Sequence, residues 1–174
     1  MSRPLIRAMR APTPLDPERA WDYALLLLGR RSCTAAEMRV RLERRSLPEA
    51  DADRVVARLQ ELDLLNDRAF ARAYVRSRTA GRGRLGLARE LRRKGVAEDV
   101  VDDALADATD EAQGRAAAEL IRKQAWRFRD AALDDPERAA AARARAFALL
   151  ARRGFPSDAA RHAVEQVLGE IDAA

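Results

Sequence analysis

Leu42-Glu-Arg-Arg-Ser-Leu-Pro48 returns as Leu91-Arg-Arg-Lys-Gly-Val-Ala97 and again as Leu150-Ala-Arg-Arg-Gly-Phe-Pro156, and this threefold return decides the fold. In each copy an apolar residue stands four before the leading leucine (Met38, Leu87, Ala146), so the two share one face of a helix. An apolar pair follows thirteen and fourteen residues after that leucine: Val55 and Val56, Ala104 and Leu105, Ala163 and Val164. Each copy therefore reads as a helix that ends in a basic turn, reverses at a small residue (Ser46, Gly95 or Gly154) and enters a second helix. A small residue there permits the left-handed backbone that commonly ends helices. The copies lie 49 and 59 residues apart, and the ten extra residues are assigned to the polar turn near Asp130 to Pro136.

Outward from these copies the chain keeps a helical period. After Pro17, Trp21, Ala24, Leu25 and Leu28 fall on one helical face, and Gly29 with two arginines closes that helix. Thr34 and Glu37 fit a capping box for the next, in which Met38 and Leu42 share a face. Val55, Val56, Leu59 and Leu62 make a third. Asn66 or Asp67 can cap a fourth, which turns Phe70, Ala73 and Tyr74 inward. One helix upstream of each copy makes three per repeat. The expected fold class is all-α: three tandem three-helix repeats forming an elongated, curved helical array, because one alanine-rich repeat cannot bury a core alone. The expected boundaries are a flexible basic tail over 1–16 and repeats over 17–65, 66–109 and 110–174. A compact globule of this length would have a radius of gyration of roughly 16 Å, and the array is expected to reach about 20 Å or more in scattering.

Composition agrees with helices and excludes several classes. Alanine supplies 38 of 174 residues and Ile, Val, Leu and Phe together 37, so the core must be built from small, repeated interfaces. One cysteine, Cys33, and one histidine, His162, cannot form a disulfide framework or a Cys/His zinc site. Neither metal nor cofactor is expected. Cys33 reads as a helix-entry residue and His162 as a surface residue. The longest clean apolar run, Tyr23 to Leu28, is far shorter than the roughly 18 residues of a membrane span, and no signal-peptide core is evident, so a cytoplasmic protein is expected.

Enzyme chemistry finds little support. Gly81-Arg-Gly-Arg-Leu-Gly86 satisfies G-x-G-x-x-G, but a helix-period segment precedes it instead of a strand, and no lysine follows Gly86. It reads as a flexible inter-helix turn. Glu98, Asp99, Asp102, Asp103, Asp107, Asp110 and Glu111 spread around a helix whose inward residues are Val100, Val101, Ala104 and Leu105, which makes them a solvated acidic face instead of a metal cluster. Trp21, Trp126 and Phe128 read as core anchors.

Charge is the informative feature. The cations comprise 31 arginines and two lysines, for a net charge of +5. Between Arg72 and Lys94 stand Arg72, Arg76, Arg78, Arg82, Arg84, Arg89, Arg92, Arg93 and Lys94 against Glu90 alone. Arg68, Arg72 and Arg76 lie opposite the expected apolar face of one helix, and Arg89, Arg92 and Arg93 opposite Leu87 and Leu91 of the next. This pattern suits phosphate contact, with the glycines between letting backbone approach a phosphate closely. The turns at Arg44, Arg45, Arg152 and Arg153 are secondary basic candidates, though arginine in a last helical turn also complements the helix dipole.

Leu64-Leu-Asn-Asp-Arg-Ala-Phe-Ala71, then Gly86 through Glu90-Leu91-Arg-Arg-Lys94-Gly95-Val96, inside three three-helix repeats, resemble the RecX family of bacterial recombination regulators. The resemblance covers roughly residues 20 to 170 and is strongest from Ser32 to Leu105. It implies a non-enzymatic regulator, acting as a monomer, that binds the RecA recombinase filament on DNA, lies in its groove, and limits its extension, ATPase and recombination activity. Homologous recombination, DNA repair and the SOS response are its implied setting. The alternative is a general DNA-binding or transcriptional regulator built on helix-turn-helix-like pairs. Against it, the basic helices carry no Asn, Gln, Ser or Thr to read bases, which leaves a phosphate-binding surface.

Overall fold

In a computed structural model, residues 15–128 and 135–172 are described, and every regular element among them is helical. Backbone contacts divide the chain into two units, residues 1–66 and 67–174. The first contains α1 (Pro17–Arg30), α2 (Ala35–Glu43) and α3 (Glu49–Glu61). The second contains α4 (Asp67–Arg76), α5 (Arg84–Arg93), α6 (Glu98–Leu105), α7 (Asp110–Lys123), a single 3-10 turn (Ala125–Arg127), α8 (Pro136–Arg153) and α9 (Ser157–Asp172). No helix among the described residues is long and apolar enough to cross a membrane.

Helix starts follow their capping chemistry. Asp16 accepts from the Arg19 amide ahead of Pro17, and Thr34 Oγ1 accepts from the Glu37 amide at 3.1 Å. Asp135 likewise caps α8 just before Pro136. Leu15 donates its amide to the Arg45 carbonyl and Asp16 caps α1 from outside, while residues 1–14 of the expected tail lie outside the described residues. The expected polar turn at 130–136 lies mostly outside them as well. Much of the added length there is instead α8, with 18 residues against ten in α5 and nine in α2.

The three related copies end their helices in one way. Ser46, Gly95 and Gly154 have φ of 60°, 77° and 80°. After each, the next amide reaches back to the leading leucine: Leu47 to Leu42, Val96 to Leu91 and Phe155 to Leu150. This six-residue closure satisfies an orphan carbonyl and turns an apolar side chain inward. Leu47, Val96 and Phe155 are accordingly buried, and Leu42, Leu91 and Leu150 are fully so. One apolar cluster gathers α1 to α3 around Met38, Leu42 and Leu59; a second gathers α4 to α6 around Leu87, Leu91 and Val101; a third gathers α7 to α9 around Ile121, Leu150 and Leu168.

Some side chains depart from the periodicity. Leu25 and Leu62 are exposed, and α1 buries Ala20 with Ala24 instead. In α4 the buried pair is Ala71 and Val75, with Phe70 and Tyr74 half-buried and Ala73 outside. Small residues let the helices approach closely, so the inward face follows the alanines. Trp126 is 68% exposed and is no core anchor, whereas Phe128 is buried and Trp21 packs against the first cluster.

The glycine motif is a packing joint between the last two clusters, not a flexible turn. Gly83 donates its amide to the Arg153 carbonyl at 3.0 Å; Leu85 and Gly86 donate to the Gly154 carbonyl at 3.0 and 3.3 Å. The C-terminal carbonyls of α8 thus cap the N-terminus of α5, which has no side-chain cap of its own. Opposite dipole ends meet there, and orphan groups of both helices are satisfied at once. A methyl group on Gly83 would come within 2.3 Å of the Gly154 carbonyl oxygen, and one on Gly86 within 2.5 Å of the Arg153 oxygen.

Candidate nucleic-acid interface

The second unit divides the basic segment into two surfaces. On α4, Arg72 and Arg76 stand one turn apart beside a groove of about 820 Å³ between α4, α6 and α7. Asp103, Asp107, Arg115 and Glu119 also line it, so this rim mixes signs. On the other flank of α4, Phe70 and Tyr74 stack with ring centroids 5.8 Å apart. The Arg78 guanidinium lies 3.9 Å from the Tyr74 ring centre, and the Lys94 ammonium 5.5 Å from it and 5.6 Å from that of Phe70. Tyr74 donates its hydroxyl to Glu90 at 2.8 Å, and Arg82 pairs with the same carboxylate at 3.2 Å. Burial, then the hydrogen bond to Glu90, raises the Tyr74 phenol above its ordinary pKa, while Arg78 and Arg93 pull it back.

Other expected contact residues are engaged inside the fold. Arg84 pairs with Asp110 at 3.2 Å, and its amide donates to the buried Gln113 side chain at 2.7 Å. Arg92 grips Glu98 through two nitrogens, one at 2.6 Å, and this hydrogen bonding holds the Glu98 carboxyl below the ordinary range. Arg68 pairs with both Asp99 and Asp103. The acidic helix α6 is therefore not merely solvated; it neutralises part of the basic repeat. Among the described residues no carboxylate pairs with Arg72, Arg76, Arg78, Arg89 or Arg93, which leaves these as exposed cations. Arg89 donates only to the Leu85 carbonyl, at 3.2 Å.

The secondary basic turns have separate fates. Arg44 is exposed, and Arg45 lies over the Tyr23 ring at 4.9 Å. Arg153 turns inward and donates to the Gly81 carbonyl at 3.2 Å, whereas Arg152 stays outside beside Trp126. The amides of Gly83 and Gly86 are taken by the end of α8 and that of Gly81 by the Arg78 carbonyl, so none is offered to a phosphate. No group of His, Cys, Asp and Glu among the described residues could hold a metal ion. Sequence reasoning missed the exposure of Trp126, whose signal was its position among Arg122, Lys123, Arg127 and Arg129.

Comparison with known proteins gives a consistent relationship. Residues 20–59 match the RecX first three-helix domain and residues 66–105 the RecX second three-helix domain. The chain is similar to the regulatory protein RecX of Mycolicibacterium smegmatis, at 40% identity over 79% of this chain and 73% of that one. It is also similar to regulatory protein RecX of Streptomyces coelicolor, at 36% identity over 94% and 86%. The crystal structure of RecX from Lactobacillus salivarius shares the fold with a TM-score of 0.73, at 24% identity over 91% of this chain and 97% of that one.

Proposed function

This chain belongs to the RecX family of regulatory proteins, and from that premise we propose that it binds a RecA-type recombinase filament on DNA and limits its extension, ATPase and recombination activity. The family relationship over most of the chain is the single observation that carries this reading. The exposed arginines support it. Arg72 with Arg76, and Arg89 with Arg93, form two pairs one helical turn apart with no carboxylate partner among the described residues, a spacing suited to successive phosphates. The protein acts by binding, as a cytoplasmic monomer, since the one motif that could suggest a nucleotide site is filled by another helix end.

The test adds the purified protein, below stoichiometry, to a recombinase assembling on single-stranded DNA. Filament extension and ATP hydrolysis should fall, while the protein alone hydrolyses no ATP. A contact to both protein and DNA raises effective concentration, so a charge-reversed variant should lose potency before it loses all effect. A DNA competitor would act only near saturation of the DNA. No effect at any ratio, together with site-specific promoter binding, would overturn the reading in favour of a transcriptional regulator.

A further inference from the structure

Trp126 occupies the 3-10 turn that follows α7, and it is 68% exposed. Two residues later Phe128 is buried in the cluster of α7, α8 and α9. The Phe128 amide closes the turn onto the Ala125 carbonyl at 2.9 Å. One ring is thus anchored inside while the other stands outside on a fixed base. Beside the indole is an open cavity of about 370 Å³, whose walls include Arg127, Arg145, Arg152, Ala148 and Leu149. Arg145 and Arg152 are seven residues apart on α8, so they share a face about 10 Å apart along its axis. Among the described residues no carboxylate lines the cavity.

An exposed indole ringed by cations has a specific chemical use. A flat aromatic face can stack on a nucleobase, and guanidinium groups around it can meet the flanking phosphates. We propose that this cavity is a nucleic-acid contact separate from the basic second repeat, in which Trp126 stacks on an unpaired base of single-stranded DNA and Arg127 and Arg152 meet its phosphates. The bases of a duplex are already stacked on one another, so the site selects single strands. This rests on the proposed function only in taking DNA as the ligand; it adds a base contact and a strand preference.

The test follows Trp126 emission in the whole protein during titration with an oligothymidine, then with a duplex of equal charge. Trp126→Phe serves to isolate its signal from that of Trp21. Saturable quenching by the single strand, lost in Trp126→Phe and absent with the duplex, is expected. By fluorescence anisotropy of a labelled oligothymidine, Trp126→Ala should weaken single-strand binding about five-fold or more, with Trp126→Phe retaining most of it. Arg152→Glu should weaken it too, with duplex binding changed much less. Trp126 is exposed, so these variants remove little packing, and circular dichroism checks that they fold. Silent Trp126 emission while anisotropy reports saturable single-strand binding would overturn the inference and leave the recombinase reading standing. A Trp126 response to the recombinase without DNA, but not to the oligonucleotide, would overturn it in favour of a protein interface. Quenching by DNA with no effect on the recombinase would uphold this site and sink the regulatory reading instead.

Discussion

Replacing Gly83 by alanine is the sharpest test of the joint between α5 and α8. The backbone at Gly83 has φ −77° and ψ 162°, a region open to any residue, so alanine incurs no conformational strain there. Its only cost is the neighbour. A Cβ would sit 2.3 Å from the Gly154 oxygen and equally close to the Phe155 nitrogen and Cα, all backbone atoms with no rotamer to escape into. The two helix ends must separate, weakening the three bonds from Gly83, Leu85 and Gly86. At about 1 kcal/mol per hydrogen bond, with an overpacking cost of similar size, the loss should be roughly 2–4 kcal/mol. For a unit of this size that lowers the melting temperature by roughly 10–20 °C. The control is Gly114→Ala in the interior of α7, where nothing lies within 4 Å of the added methyl and better helix propensity should stabilise by about 0.5–1 kcal/mol. Urea denaturation followed by circular dichroism compares the two. Equal midpoints for Gly83→Ala and Gly114→Ala would refute the joint.

Two further outcomes follow from the charges. DNA binding through four to six arginine–phosphate contacts should show a log-log salt slope of about −3 to −5, and charge reversal at Arg72, Arg76, Arg89 and Arg93 should flatten it; an unchanged slope in a folded variant would exclude this surface. Because hydrogen bonding from Arg92 depresses the Glu98 carboxyl, that pair stabilises the fold above the unfolded carboxylate pKa, and the contribution is lost as pH falls through the lower folded value. In Arg92→Gln the Glu98 titration, read by carboxyl NMR, should move up toward the ordinary range; no movement would mean the contact is not formed in solution.

How far the sequence carried depends on whether the deciding partner was near in the chain. Ser46, Gly95 and Gly154 were legible as helix reversals because the closure runs only from Leu42 to Leu47, Leu91 to Val96 and Leu150 to Phe155. The capping of α2 by Thr34 is equally local. Gly83 misled because its partner is the Arg153 carbonyl at the end of α8, and no periodicity in residues 81–86 announces a helix end so distant in the chain. Arg84 and Arg92 looked available until α6 and α7 brought Asp110 and Glu98 to them. Trp126 misled in the other direction: composition favours burying an indole, while Phe128 two residues on takes the inward place. Local backbone chemistry could be read directly, whereas the assignment of each arginine to a carboxylate or to solvent needed the tertiary fold.

The joint also sets a timetable for synthesis. The N-terminus of α5 is complete only when the end of α8 has arrived, and Gly81 and Arg153 are 72 residues apart. At about 5–20 residues per second the ribosome needs about 4 to 14 s to cover that interval. Throughout it the amides of Gly83, Leu85 and Gly86 have water as their partner, and the cluster around Leu87 and Leu91 lacks one of its boundaries. The apolar cluster of α1, α2 and α3, by contrast, is drawn from residues up to Leu65 and is present once that residue has emerged. The nascent chain therefore holds a finished first unit and a waiting second one, and a chain truncated before Gly154 would carry the basic helices α4 and α5 without the carbonyls that fix α5 in place.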